Sequence, residues 1–137
     1  MTWQAMALAS AFFAALTAVF AKIGVREIDS NLATCIRTLV ILALTSSIVI
    51  AQGTWRALPA LDARSVVFLV LSGLATGASW LFYFHALKLG PASRVAPLDK
   101  LSVPLAVLLA VLFLHETLTW KTALGVILTT LGALLLL

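Results

Sequence analysis

Reactive and charged side chains are scarce in this chain. Its 137 residues include one cysteine, two histidines, one tyrosine and five acidic residues, and only 10% of the chain is charged. A lone Cys35 excludes a disulfide framework and a cysteine-ligated metal site, and its place inside an apolar run reads as packing. No paired histidines stand at metal-ligand spacing and there is no Gly-rich phosphate loop. The acid buried deepest in an apolar segment has neither a second acid nor a nucleophile with a base at readable spacing. Catalytic residues, a bound metal and a cofactor are therefore not expected, and neither is an enzyme. The net charge is +4, yet the nine Lys and Arg residues are scattered singly, without the run that nucleic-acid binding uses. No nucleic-acid partner is expected. The N-terminal MTWQAM lacks the basic stretch and cleavage site of a signal peptide, so the first segment reads as retained.

What fills the sequence instead is apolar. At 63% hydrophobic residues and a mean hydropathy of +1.15, it lies far from the soluble average of roughly 45–50% apolar and 25% charged. A spanning helix needs about 20 mainly apolar residues, so five crossings nearly exhaust the chain. The spans read as 3–21, 32–51, 65–87, 92–114 and 119–137, one membrane domain over residues 1–137. Asp29, Ser30 or Asn31 is placed to cap the second helix, and Gly53 and Pro59 fall in the connection that ends it. Trp55 is expected at headgroup level. Gly90-Pro91 makes a tight turn into the fourth helix, His115 to Leu118 form the last turn, and Thr119 is placed to cap the fifth helix.

Polar residues inside the spans are the informative ones. A charge at the centre of a membrane helix costs about 2.5–3.5 kcal/mol on insertion scales, so it pairs, snorkels or faces a cavity. Arg37, Asp99 and Lys100 fall at similar depth from the same membrane face. Asp99 is too short to snorkel and needs a donor: Arg37, Lys100 or a group from a second chain. Pro97 and Pro104 lie seven apart on one face of the fourth helix. Each removes an intrahelical bond, and the irregular backbone between them belongs against protein or a wet interior. Two readings of this network stay open, a satisfied lock between helices and a contact with substrate.

Ser72, Thr76, Ser79 and Tyr83 recur at spacings of 4, 3 and 4 on the third helix, with Trp80 and Phe84 beside them. Such a stripe suits the wall of a cavity for small amphipathic molecules. Helix packing is the alternative, with hydroxyls bonded back to carbonyls and with Gly73 and Gly77 admitting a close neighbour. Ser10, Phe13 and Thr17 repeat the pattern more weakly on the first helix. Gly125, Thr129 and Gly132 on the fifth read as an interface, and His85 as an interfacial residue rather than a proton relay.

The stretch VAPLDKLSVPLAVLLAVLFLHETLTWKTALGVILTTLGALLLL, from Val95 to Leu137, resembles the second half of an EamA domain, the repeat unit of the drug/metabolite transporter superfamily. The proline-containing fourth helix, Glu116 in a short turn before Leu118-Thr119, and the spaced glycines of the fifth helix carry the resemblance. Arg37 and YFHALKLGPASRVAP fit the same pattern. Where the family commonly has glycine before the turn glutamate, this chain has His115. The resemblance implies an all-α integral membrane protein with one five-helix repeat, paired as an inverted, antiparallel homodimer, since most relatives carry two opposed repeats around a substrate cavity. It further implies alternating-access transport of a small-molecule substrate, membrane lipids as surroundings, and multi-pass residence in a bacterial inner membrane. Small multidrug transporters of the superfamily carry a glutamate in their first helix; this first helix has no acid, so their proton coupling is not transferred. An accessory subunit of another membrane protein and a lipid flippase component are the rival readings. Basic residues near the helix ends number four on one face (Lys22, Arg26, Lys88, Arg94) and three on the other (Arg56, Arg64, Lys121), a bias weak enough for insertion in both orientations, whereas adding the embedded Arg37 and Lys100 makes it six against three and favours a single orientation with the C-terminus inside.

Overall fold

In the computed structural model, which describes residues 2–137, all regular structure is helical. The elements are α1 (Trp3–Gly24), α2 (Ser30–Gln52), a short 3-10 helix (Thr54–Ala60), α3 (Ala63–Leu89), α4 (Ala92–Asp99), α5 (Ser102–Leu114) and α6 (Trp120–Leu134). Four segments have the length and composition to cross a membrane: α1, α2, α3, and the α4–α5 stretch Ala92–Leu114 taken together. The 15-residue α6 is shorter. Bulky apolar side chains stand exposed along these helices, among them Phe82 at 78% and Trp120 at 79%. Water does not tolerate such a surface over most of a chain, whereas lipid does. The chain is a multi-pass integral membrane protein.

The helix ends follow local hydrogen bonding. Of the three cap candidates before the second span, Asp29 is the one used. Its carboxylate accepts from Asn31 N at 2.9 Å and Leu32 N at 3.1 Å, which starts α2 two residues earlier than hydropathy suggests. α2 ends where Gly53 takes φ 68°, a left-handed conformation that glycine adopts without a Cβ penalty. The connection to α3, expected to be irregular, holds the 3-10 helix with Pro59 inside it. Asp62 then accepts from Ser65 N at 3.1 Å and from the Ser65 hydroxyl, so α3 begins at Ala63 rather than at Ser65. Thr119 caps α6 by accepting from Thr122 N at 3.2 Å.

The fourth span is where sequence expectation and structure differ most. It is two helices, interrupted at Lys100–Leu101. The Pro104 ring has no N–H for the Lys100 carbonyl and crowds it. That carbonyl instead accepts from Val103 N at 2.9 Å, and the preceding turn tightens to Lys100 N on Pro97 O and Leu101 N on Leu98 O, both 3.0 Å. The opening thus falls one turn before Pro104 and just after the turn that Pro97 begins.

Two compact units make up the chain. The first comprises residues up to Lys22 together with Leu89–Leu137, and the second Ile23–Lys88. In the first, α6 packs against both α4 and α5, Lys22 Nζ donates to Gly90 O at 2.8 Å, and Ala18 and Ala133 are buried. The second has its buried residues gathered near one end: Val25, Ser30, Ala33, Thr34, Phe84 and Leu87. Leu87 is fully enclosed. There α2 and α3 are tied by side chains, with Ser30 Oγ and His85 Nδ1 3.4 Å apart and Lys88 Nζ donating to Ile28 O at 2.9 Å.

Candidate functional site

The Ser30–His85 rung sets the register of the α2–α3 hairpin. Counting inward at ~1.5 Å per residue, Trp80 lies about 7–8 Å from that rung along α3, and Arg37 about 10 Å along α2. Helical side chains lean toward the N-terminus of their own helix, which returns the Arg37 guanidinium to the level of Trp80. The result is a cation–π pair: Arg37 Cζ sits 4.2 Å from the centroid of the Trp80 ring and 5.3 Å from that of Phe84. Tyr83 stands beside them, its ring edge-on to Phe84 at 6.3 Å. Arg37, Trp80 and Tyr83 are half-buried and Phe84 is buried. A cation–π contact of this kind is worth about 0.5–2 kcal/mol, which is less than the ~2.5–3.5 kcal/mol an arginine costs at the centre of a span. That contact alone does not compensate the charge.

Asp99 and Lys100 lie where α4 opens. Lys100 Nζ is 3.3 Å from Asp99 Oδ2, with the two side chains 52% and 36% exposed. It is the ion pair formed among the described residues, and as neighbours in sequence the two charges need no other element to meet. Pro97 and Pro104 are half-buried on either side of the opening.

On α3, Ser72, Thr76 and Ser79 are exposed, while Trp80 and Tyr83 are half-buried. Thr76 Oγ1 donates to Ser72 O at 2.8 Å. The same fold-back, hydroxyl to the carbonyl four residues earlier, occurs at Thr34, Thr38, Thr45, Ser47, Thr129 and Thr130. A hydroxyl in lipid has few other acceptors, and its oxygen stays open to a further donor. On α1, Ser10 and Phe13 are exposed and Thr17 is half-buried. Phe13 lies edge-on to Phe12 at 5.6 Å. A Cβ built at Gly73, Gly77, Gly125 or Gly132 meets no heavy atom within 4 Å, so both glycine lines face open space in this chain.

The structure therefore joins Arg37 to Trp80, Phe84 and Tyr83 inside the second unit, and Asp99 to Lys100 inside the first. Sequence reasoning assigned Arg37 to a charge network and Trp80 to a cavity wall, and missed that they touch. Their nearly equal depth below the shared end of α2 and α3 was the available signal.

Outside the spans, two carboxylates are tuned by their cap bonds. The Leu32 and Asn31 N–H groups, with Lys88 nearby, hold Asp29 below its ordinary pKa of 3.8. The Ser65 hydroxyl and N–H do the same for Asp62. Trp55 sits in the connection on the opposite face, its ring 5.7 Å from the Arg56 guanidinium, and Arg64 lies 5.9 Å from the Phe68 ring.

Comparison with known proteins gives the family of the chain. A model of the EamA-like transporter family matches residues 1–137. The chain is 58% identical over 135 residues to a Sinorhizobium protein named "Uncharacterized transporter in cobO 3'region", covering 98% of this chain and 96% of that one. It is 33% identical over 75 residues, 55% of each chain, to an uncharacterized protein of Methanocaldococcus jannaschii. No solved structure matches. With a family model spanning every residue and a relative this similar end to end, the chain belongs to the EamA-like transporter family.

Proposed function

We propose that the chain moves a small metabolite or drug-like molecule across a bacterial inner membrane, by alternating access within an antiparallel homodimer. Family membership supports transport. The observation that carries the small-molecule reading is the half-buried cluster of Arg37, Trp80 and Tyr83 in a chain whose polar groups are otherwise few. Cation, aromatic faces and a hydroxyl on adjoining helices are the groups that orient an amphipathic ligand. Ser72, Thr76 and Ser79 continue that wall along α3, and within the other unit Ser10, Phe13 and Thr17 form a weaker polar line on α1. Asp99, Lys100 and the opening between Pro97 and Pro104 provide irregular backbone at depth, the feature around which transporters bind and hinge.

Charge balance and open helix faces support the homodimer reading. The four-against-three balance of basic residues at the helix ends permits insertion both ways, and the open glycine lines of α3 and α6 allow a second copy to approach closely. Reconstitution of the isolated chain into liposomes tests the reading. Saturable, substrate-dependent counterflow is expected, and C-terminal reporter fusions are expected to be active on both faces. Absence of flux across a panel of amino acids, organic cations and organic acids, with a larger membrane protein copurifying, overturns it.

A further inference from the structure

The geometry points to an oxyanion-binding site at Arg37, and we propose that the molecule recognised there is an amphipathic carboxylate, its charge on the guanidinium edge and its apolar body against Trp80, Tyr83 and Phe84. The inference rests on the transport reading for its purpose, but its binding claim is tested separately.

A guanidinium has two kinds of surface. Its face stacks on aromatic rings, and its edge carries five N–H donors in a fork that matches the two oxygens of a carboxylate. In Arg37 the guanidinium carbon lies 4.2 Å from the Trp80 ring centroid and 5.3 Å from that of Phe84, a cation–π contact. Its N–H donors meet no acceptor: among the described residues Arg37 donates no hydrogen bond and makes no ion pair, since the ion pair present joins Lys100 to Asp99. The second unit, to which Arg37 belongs, has Glu27, Asp29 and Asp62 as its acids. Asp29 spends its carboxylate on the α2 cap and Asp62 on the α3 cap. Glu27 precedes α2, outside the span. A cation held at membrane depth with its donors unmet recruits an anion from elsewhere.

The position narrows the choice of anion. The Ser30–His85 rung and the Lys88–Ile28 bond lie between Arg37 and the near end of the hairpin, and Trp80 is about 7–8 Å inward of that rung on helical rise. A lipid phosphate at the surface has to reach past these groups, whereas a free molecule in an interior space does not. The surroundings also select. Two half-buried aromatic rings and one buried one flank the fork, which favours a carboxylate on an apolar or aromatic body over a small inorganic anion. An organic cation meets Arg37 as a like charge, so the site discriminates against the amines that a tryptophan and a tyrosine alone would welcome.

The test uses the full chain purified in detergent and three probes of one shape: phenylacetate, phenethylamine and 2-phenylethanol. Tryptophan emission and thermal unfolding report binding. Phenylacetate is expected to bind saturably and at least tenfold more tightly than phenethylamine. Arg37→Lys keeps the charge and loses the fork, and is expected to weaken phenylacetate tenfold or more while leaving the unfolding temperature near wild type. Trp80→Phe is expected to weaken all three probes by smaller and similar factors. Equal or tighter binding of phenethylamine, or unchanged phenylacetate affinity in both Arg37→Lys and Arg37→Gln, overturns the proposal. So does equal destabilisation by Arg37→Gln and Asp99→Asn with no further loss in the double variant, which makes Arg37 part of a lock with Asp99. In nanodiscs, competition of phosphatidylglycerol with phenylacetate at Arg37, where phosphatidylcholine does not compete, assigns the site to lipid and overturns the free-ligand claim. Counterflow separates the two levels: transport of phenethylamine but not phenylacetate leaves transport standing and removes this inference. Arg37-dependent phenylacetate binding without flux of any probe does the reverse.

Discussion

Replacing His115 with glycine should stabilise the protein, because His115 occupies a conformation that suits glycine better. It closes α5 at φ 54° and ψ 32°, the single non-glycine residue with positive φ among those described. Its own N–H and that of Glu116 both turn back to Ala110 O, so the left-handed residue is what lets the chain reverse toward α6. For an L-residue that region costs roughly 1–2 kcal/mol, and histidine, which tolerates it better than most, belongs at the lower end. Glycine removes the cost but gives back about 0.5–1 kcal/mol through its freedom in the unfolded chain. The net gain is small, so a series reads it more securely than one variant. Because the His115 side chain is exposed and makes no hydrogen bond among the described residues, replacement removes no contact. The expected order is Gly above His, His at or above Ala, and Val lowest, with about 2 kcal/mol between Gly and Val. For a chain of this length that is roughly 5–8 °C. Heating detergent-solubilised variants and following the surviving monodisperse peak by size exclusion measures it. A valine variant as stable as the glycine one, or a glycine variant below wild type, refutes the reasoning. The glycine that the family commonly has before its turn glutamate is explained by the same backbone angle.

The Asp29 and Asp62 cap bonds hold both carboxyls below their ordinary pKa of 3.8, so their contribution is complete above that value and is lost as pH falls through the lower folded values. The unfolding temperature should therefore drop on acidification below about pH 4, and Asp29→Asn with Asp62→Asn should flatten that drop; an unchanged acid profile in the double variant counts against the cap assignment. Pro104→Ala returns an N–H to the Lys100 carbonyl, so the α4–α5 opening should close and amide exchange at Lys100–Val103 should slow about tenfold; unaltered exchange means the opening is set by other contacts. Cysteines at Ser72, Thr76, Ser79 and Tyr83 should react with a small polar thiol reagent faster than one at Leu109, and equal rates would remove the α3 stripe from any aqueous cavity.

Four long apolar segments, a shorter fifth and the capping residues were legible because each rests on a local rule, whereas the fourth segment, expected as one kinked helix, is two. An aspartate before a helix and a proline inside one each act over a single turn. The extra 3-10 helix and the exact starts of α2 and α3 were less legible, since Asp29 and Asp62 extend their helices by hydrogen bonds to which hydropathy is blind. The cation–π contact of Arg37 with Trp80 was less legible for a different reason. In water a buried arginine implies a carboxylate, and Asp99 stood at matching depth. Inside lipid, depth is shared by every helix, so matching depth alone does not choose a partner. The register of α2 against α3 does, and it is fixed by Ser30, His85 and Lys88 at the helix ends. Once that rung is in place, the period of each helix carries Arg37 onto Trp80. The fold-back of Thr76 onto Ser72 obeys the same logic of limited partners. A serine or threonine in lipid bonds to its own helix whether or not a ligand ever meets it, so the α3 stripe has one appearance in sequence for two roles. Arginine has no such refuge. Its donors are too many and too far from its own backbone to be satisfied within one helix, which is why Arg37, rather than the hydroxyl stripe, is the residue from which a ligand is best inferred.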